Sequence, residues 1–150
     1  MIFTGTYPRV VDDKKRVAIP KAIREQFGKR APRQLYIAPG SHRSLWIFTP
    51  EQLERFGERL LAGRQNDSEL AAYRRLYFSR AEPSDLDTQG RILVPDRLAE
   101  HIGLGRDVLL IGVFDHLELW DPQRWKEYVD SQAATFDATA EGALHTPAQS

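Results

Sequence analysis

Residues 11–21 read VDDKKRVAIPK and residues 86–96 read LDTQGRILVPD, so one pattern is written twice in the chain. The copies share an aspartate, an arginine and a proline in the same order and spacing: Asp12, Arg16 and Pro20 in the first, and Asp87, Arg91 and Pro95 in the second. Self-similarity of this kind indicates two copies of one supersecondary unit. A unit of roughly 45 residues is near the lower limit for folding alone, so we expect the two copies to fold against each other.

Each copy predicts the element order β, β, α, β, β. In the first copy, residues 17–19 are a β-prone run that Pro20 ends, and a proline at this place suits the first turn of a helix over residues 21–27. Two further β-prone runs joined by a turn complete the unit. The charged segment 12–15 lies between two extended segments, and we predict that these form a β-ribbon whose loop projects into solvent.

Helices are predicted after each copy. Thr49, Pro50 and Gln52 form the pattern of a helix N-terminus, with Thr49 as the cap and Gln52 as its capping-box partner. A second helical pattern covers residues 68–78. The predicted organisation is a first repeat at 5–51, linker helices at 52–80, a second repeat at 81–124, a C-terminal helix at 125–136 and a flexible tail at 137–150, where small and polar residues dominate.

Formal net charge is zero, but the charges are unevenly distributed along the chain. Residues 1–33 hold nine basic and three acidic side chains, whereas residues 81–107 hold three basic and six acidic ones. By this count the first repeat can attract a polyanion and the second cannot. The proportions of hydrophobic (41%) and charged (28%) residues are those of an ordinary globular protein.

Several classes of protein and of site lack support in the sequence. The absence of cysteine excludes disulfides and thiolate metal sites, and no apolar run approaches the ~20 residues that span a bilayer. The histidines are dispersed without metal-ligand spacing, and we interpret them as surface or turn residues: His42, His101, His116 and His145. No catalytic constellation is evident, so we predict a cytoplasmic protein that is not an enzyme, with no metal, cofactor or membrane partner.

At these residues the chain resembles the MraZ family of bacterial transcriptional regulators, which are built from two AbrB-like repeats. The match covers roughly residues 1–130 and rests on the Phe3-x-Gly5 opening, the stretch 12–20 with its echo at 87–91, and the ending Leu117-Glu118-Leu119-Trp120-Asp121. The resemblance implies an α+β fold. Two tandem AbrB-like ββαββ repeats would interlock around a pseudo-two-fold axis as a swapped-hairpin β-barrel, with helices after each repeat.

The same resemblance implies a function. Chains of this family assemble into closed rings, and the ring binds repeated sites upstream of the division and cell-wall gene cluster. We therefore expect a homo-oligomeric regulator that binds double-stranded operator DNA sequence-specifically through the basic loop of its first repeat. It would repress this gene cluster, including its own gene, and associate with the nucleoid. Two alternatives stay open, which are an oligomeric protein-interaction scaffold without specific DNA binding, and an enzyme.

The candidate DNA contacts are basic residues of the first repeat. Arg16 can offer a planar guanidinium to guanine O6 and N7, whereas Lys14 and Lys15 suit phosphates as point charges. The alternative for these three residues is an ordinary solvated turn. Arg91 aligns with Arg16 in an acidic setting, so we expect it to bond Asp87 or a neighbouring carboxylate and shape its turn. The secondary candidates for DNA contact are Arg9, Lys21 and Arg24.

Lys15 departs from the family pattern, which has glycine at this position. Glycine adopts a positive φ at no steric cost, and lysine does not. Either the loop has an ordinary backbone here, or Lys15 accepts a strain of about 1 to 3 kcal/mol. Because the added charge favours attraction to phosphate, we expect DNA binding to persist.

Overall fold

Strands and helices follow the same order in the two halves of the chain, and a computed structural model describes them over residues 1–62 and 68–145. The first half holds β1 (Thr6–Val10), β2 (Arg16–Ala18), α1 (Lys21–Gln26), β3 (Gln34–Pro39) and β4 (Leu45–Phe48). Helices α2 (Pro50–Leu61) and α3 (Ser68–Arg80) follow. The second half holds β5 (Glu82–Asp85), β6 (Arg91–Leu93), α4 (Asp96–Ile102), β7 (Asp107–Gly112) and β8 (Leu117–Trp120), and the chain continues as α5 (Pro122–Ala133) and α6 (Phe136–His145).

The strands of the two halves are interleaved. An antiparallel six-stranded sheet has the order β1-β7-β8-β4-β3-β5, so β1 pairs with a strand of the second half and β5 with a strand of the first. The registers of these two pairings correspond, with Tyr7 opposite Leu110 in one and Glu82 opposite Ile37 in the other. The predicted α+β class is confirmed, and the large sheet is antiparallel.

The short strands β2 and β6 form a separate two-stranded ribbon, one strand from each half. The prediction that the segments on either side of residues 12–15 pair with each other is therefore wrong, because β1 joins the large sheet and β2 pairs with its own repeat twin. Val17 and Ile92, which lie opposite each other at the centre of the ribbon, are buried in one core with residues of both halves. Pairing across the halves covers these side chains better than a unit of this size can alone.

The main core is shared by the two halves. Ile23, Ile37 and Leu45 of the first half pack in one cluster with Leu98 and Leu110 of the second, and none is more than 1% exposed. Burying one such side chain contributes about 1.5 to 3 kcal/mol. Neither half would keep this contribution without the other, so the halves fold as one cooperative unit.

Helices α2 and α3 form a second, aromatic cluster on the sheet. The capping box predicted for α2 is confirmed, because Gln52 N donates to Thr49 Oγ1 at 3.2 Å and Thr49 N donates to Gln52 Oε1 at 2.9 Å. Phe56 of α2 stacks on Phe48 of β4, with ring centroids 5.6 Å apart. The two helices therefore cover the face of β3 and β4.

His116 lies in the turn between β7 and β8, which is one of the two predicted positions, but its side chain is buried and not at the surface. Its Nδ1 lies 2.9 Å from Asp115 Oδ1 and its Nε2 lies 2.8 Å from Glu118 Oε2, while its ring packs 4.5 Å from that of Trp46. Burial opposes the imidazolium charge, but the bonds to Glu118 and Asp115 outweigh it and raise the pKa of His116 above the ordinary 6.5. Two flanking carboxylates are satisfied together only by the doubly protonated ring.

This histidine gives the fold a pH dependence. A raised pKa means that the contribution of His116 to stability is fully present below pH 6.5 and is lost as pH rises through the folded-state pKa. We expect the free energy of unfolding of the parent to fall across that window, and His116→Gln to lack this fall. Urea titrations over a pH series measure the difference, with His145→Gln on the exposed surface of α6 as the control. Parallel curves for parent and His116→Gln would contradict the prediction.

The C-terminal segment is helical where the sequence predicted an irregular, flexible tail. Residues 136–145 form α6, which is exposed along most of its length and holds no buried residue, and residues 146–150 of the predicted tail lie outside the described residues. Its three alanines favour a helical backbone by propensity, which the prediction from small and polar residues left out. None of the helices in the described part of the chain is long and apolar enough to cross a membrane.

Candidate nucleic-acid interface

The loop at residues 12–15 is closed by the side chain of Asp12. Its Oδ1 accepts hydrogen bonds from Lys14 N at 2.9 Å and Arg16 N at 2.8 Å, and its Oδ2 accepts one from Arg16 Nε at 2.6 Å. The main-chain bond from Arg16 is the largest cause that lowers the pKa of Asp12. The carboxylate therefore supports the loop at neutral pH, and this support is lost as pH falls through the lowered pKa.

The loop at residues 87–90 is built in the same way. Asp87 Oδ1 accepts from Gln89 N and Arg91 N, both at 2.9 Å, and Oδ2 accepts from Arg91 Nε at 2.9 Å. Arg91 therefore bonds Asp87 and shapes its turn, as predicted. Because Arg16 does the same for the first loop, the structural role that the sequence assigned to one arginine belongs to both.

The two arginines lie on one face of the ribbon β2–β6. Side chains alternate along a strand, and Val17 and Ile92 point into the core, so Arg16 and Arg91 point outward. Arg91 Nη1 is 3.8 Å from Asp12 Oδ2, which joins the two Asp–Arg pairs into one cluster. Sequence reasoning separated these arginines by repeat and left Arg91 out of the candidate site. Each arginine comes directly before a β-prone run, at 17–19 and at 92–94, and this shared position was the signal that the two runs could pair with each other.

Lys15 has a left-handed backbone, with φ of 60°, and its counterpart Gly90 has φ of 77°. Of the two possibilities for this loop, the strained lysine is the one the structure contains. Equivalent hydrogen bonds fix both residues, since Val94 N donates to Lys15 O and Ile19 N donates to Gly90 O, each at 2.8 Å. The ribbon thus holds Lys15 in the same left-handed region as its glycine counterpart.

The Lys15 side chain is not free in solvent. Its Nζ lies 2.6 Å from Asp96 Oδ1 at the start of α4, and about half of the lysine side chain (48%) is exposed. Lys14, by contrast, is exposed at the tip of the loop, where its main-chain N–H bonds Asp12. Lys14 is therefore better placed than Lys15 to meet a phosphate.

A Lys15→Gly variant tests the strain. Glycine stabilises the folded state by removing a left-handed strain of about 1 to 3 kcal/mol. Two effects oppose this gain, which are the loss of an exposed ion pair, at most about 1 kcal/mol, and the greater entropy of the unfolded chain, about 0.5 to 1 kcal/mol. By these figures we expect the free energy of unfolding to lie between about 1 kcal/mol below and about 2.5 kcal/mol above that of the parent in chemical denaturation. The control, Lys15→Met, keeps the strain and loses the ion pair. If Lys15→Gly is less stable than Lys15→Met, the backbone at Lys15 is not strained and the prediction is wrong.

The secondary candidates lie at separate places. Arg9, in β1, donates from Nη1 to the carbonyl oxygen of Pro8 at 2.7 Å. Arg24 donates from Nε to the carbonyl oxygen of Ile19 at 3.1 Å and covers Gly90, where a Cβ would lie 2.5 Å from Arg24 Cδ. Lys21, one turn earlier in α1, is exposed and 3.8 Å from Glu25. Of these secondary candidates, Arg24 therefore lies against the second loop. The candidates that lie together are those of the first loop, which are Lys14, Lys15 and Arg16.

Interleaving the halves also redistributes their charges. The basic first loop faces Asp96 of the acidic second half, and the second loop is covered by Arg24 of the basic first half. The inference that only the first repeat can attract a polyanion is therefore too simple. The outer face of the ribbon carries basic side chains from both repeats.

Comparison with known proteins places the chain in a family. Residues 77–146 match the family model described as "MraZ protein, putative antitoxin-like". A transcriptional regulator MraZ of Heliobacterium modesticaldum is 33% identical over 93% of this chain and 95% of its own. Proteins of the same name from Micrococcus luteus (32%, over 95% and 97%) and Symbiobacterium thermophilum (34%, over 91% and 96%) are similarly related. With relatives that match nearly end to end at this identity, the chain belongs to the MraZ family.

Proposed function

We propose that this protein is a DNA-binding transcriptional regulator that contacts DNA with the outer face of the ribbon β2–β6 and the loop at 12–15. The observation that carries the proposal is the cluster of Arg16 and Arg91 on the outer face of the ribbon, beside the basic tip of that loop. Each arginine is held by an aspartate, and their side chains are 30% and 28% exposed. Its relatives are named transcriptional regulators, and none of the names reported above is that of an enzyme. We propose no catalytic activity.

The arrangement suits direct reading of base edges. Arg16 Nε is bonded to Asp12 Oδ2 at 2.6 Å, which restrains the plane of the guanidinium. Such a fixed fork can donate to guanine O6 and N7, and the major groove admits a two-stranded ribbon. Lys14, at the tip, would then contact the phosphates that flank the groove.

Our proposal includes the finer features implied by the family. The two halves are AbrB-like repeats in a swapped-hairpin barrel, and copies of the chain form a closed ring. This ring binds direct repeats upstream of the division and cell-wall genes, including its own, and represses them. A single ribbon meets few base pairs, so several ribbons on one ring would gain affinity through effective concentration. Footprinting on the DNA upstream of the gene, with the wild-type protein, tests the site and its repetition together.

The role of Lys14 is tested by the salt dependence of binding. If Lys14 neutralises one phosphate in each bound ribbon, Lys14→Ala should reduce the slope of log affinity against log salt by about one per ribbon. Fluorescence anisotropy at several salt concentrations, with a duplex taken from the DNA upstream of the gene, measures this slope. Lys126→Ala, which removes an exposed lysine from α5, is the matched control. Equal slopes for Lys14→Ala and Lys126→Ala would contradict the phosphate contact.

The alternative is an oligomeric scaffold that docks proteins without reading DNA. Exposed apolar side chains away from the ribbon favour it, with Phe114 and Phe136 about two-thirds exposed (67% and 68%) and Leu144 exposed at 83%. The same footprint separates the two functions. Protection of defined repeats supports the regulator, and uniform weak binding that does not depend on sequence supports the scaffold.

A further inference from the structure

The outer face of the ribbon carries an exposed leucine as well as the arginines. Leu93 lies directly opposite Arg16, and Ala18 lies directly opposite Arg91. Since Val17 and Ile92 between them point into the core, all four of these residues project outward. Leu93 is 49% exposed, and single exposed leucines are ordinary on protein surfaces. Leu93 differs from such leucines because it lies beside Arg16 and Arg91 on the face that we propose reads DNA.

The main-chain bonding holds Leu93 close to Arg16. Leu93 N donates to Ser84 Oγ at 3.0 Å, and Ser84 Oγ donates to Leu93 O at 2.7 Å, so the polar groups of Leu93 point away from β2. Arg16 N likewise points away, toward Asp12. A pair without mutual hydrogen bonds is the one in which opposite side chains approach most closely, with Cβ atoms about 4.5 to 5.5 Å apart. Leu93 therefore extends the same reading element as Arg16.

We propose that Leu93 contacts the C5-methyl group of a thymine next to the base pair that Arg16 reads. This inference rests on the proposed function. In the major groove the thymine methyl is the apolar feature that a leucine can recognise. Ala18 occupies the corresponding place beside Arg91 and is smaller, so the methyl contact is made on one side of the ribbon only. The thymine requirement is accordingly asymmetric within each site.

Replacing thymine by uracil, which lacks the methyl, tests the contact. In vitro selection from a random-sequence duplex library defines the preferred site of the wild-type protein, and each thymine of that site is then replaced singly by deoxyuridine. We expect one replacement to weaken wild-type binding about fourfold, which is the effect of one buried methyl group. Leu93→Ala should bind the thymine and uracil duplexes equally, while Leu93→Val should keep part of the difference.

Matched variants and stability measurements keep the outcomes distinct. Leu76→Ala, which truncates an exposed leucine of α3, should retain the full thymine-to-uracil difference. Thermal unfolding of each variant checks that the ribbon stays folded, and Leu93→Val serves if Leu93→Ala does not fold. The inference is overturned if no single replacement weakens wild-type binding. It is also overturned if Leu93→Ala keeps the wild-type difference in affinity between the thymine and uracil duplexes. Either result leaves the proposed function standing. If selection yields no preferred site, the proposed function fails and the inference fails with it.

Discussion

Arg16→Ala is expected to lower the affinity for a duplex from the DNA upstream of the gene by roughly a hundredfold or more. A bidentate arginine–guanine pair contributes about 1 to 3 kcal/mol to discrimination, and the loss recurs in every ribbon that a ring presents to the DNA. Alanine also removes the Nε–H group that now donates a hydrogen bond to Asp12 Oδ2 at 2.6 Å. The carboxylate would then keep the longer contact with Arg91 Nη1, at 3.8 Å, and would face the phosphates with less of its charge compensated. Fluorescence anisotropy at fixed salt concentration gives the ratio of affinities.

Two controls separate base reading from charge. Arg16→Lys keeps one positive charge but cannot form the fork, so we expect it to lose most of the sequence preference and to retain non-specific binding. Arg43→Ala removes an exposed arginine remote in sequence from the ribbon and should bind like the parent. Thermal unfolding shows whether the loop variants remain folded. If Arg16→Ala binds as tightly as Arg43→Ala, the ribbon is not the reading surface and the proposed function fails.

Gly112→Ala is expected to cause the largest loss of stability, about 3 kcal/mol, which lowers the melting temperature by about 10 °C in a chain of this size. A Cβ at Gly112 would lie 2.4 Å from the main-chain nitrogen of Thr4 and 2.6 Å from its carbonyl carbon. These are backbone atoms, and Gly112 N also donates to Gly5 O at 2.8 Å, so the segment before β1 cannot move away without breaking this bond. Differential scanning calorimetry measures the shift.

Gly105→Ala is the matched control for this substitution. It adds the same methyl group at a glycine with nothing within 4 Å of the ideal Cβ position and without a left-handed φ. We expect its stability to lie within about 1 kcal/mol of the parent, because a compatible alanine mainly restricts the unfolded chain. Equal melting temperatures for the two variants would mean that the N-terminal segment does not pack on Gly112 as described.

Much of the local structure could be predicted because its causes are local. The capping box of α2 depends on two residues three positions apart. Helices α1 and α4 begin directly after Pro20 and Pro95, which are their N-cap residues, with ψ of 140° and 145°, and are not part of the first turn. The repeat itself was visible as an identical spacing of aspartate, arginine and proline. These features need no knowledge of which elements meet in space.

Errors arose where a partner is distant in the chain. The pairing of β1 and β2 was predicted from their adjacency, but each is better covered by a strand of the other half. His116 was predicted at the surface or in a turn, and it lies in a turn, but its ring is buried against Trp46 of the first half, which is distant in the chain. Helix α6 was missed because its composition predicted disorder rather than an exposed alanine-rich helix.

The sequence by itself determined the two-fold repetition, the closure of the second loop by Asp87 and Arg91, and the unusual lysine at position 15. Only the tertiary structure decided that Arg16 and Arg91 share one face, that Lys15 meets Asp96, and that the charge imbalance between the repeats does not separate into two surfaces. The physical reason is that spacing and propensity encode each strand but not its partner. The partner is selected by which apolar side chains can be buried together, and here Val17 and Ile92 are buried together at the centre of the ribbon.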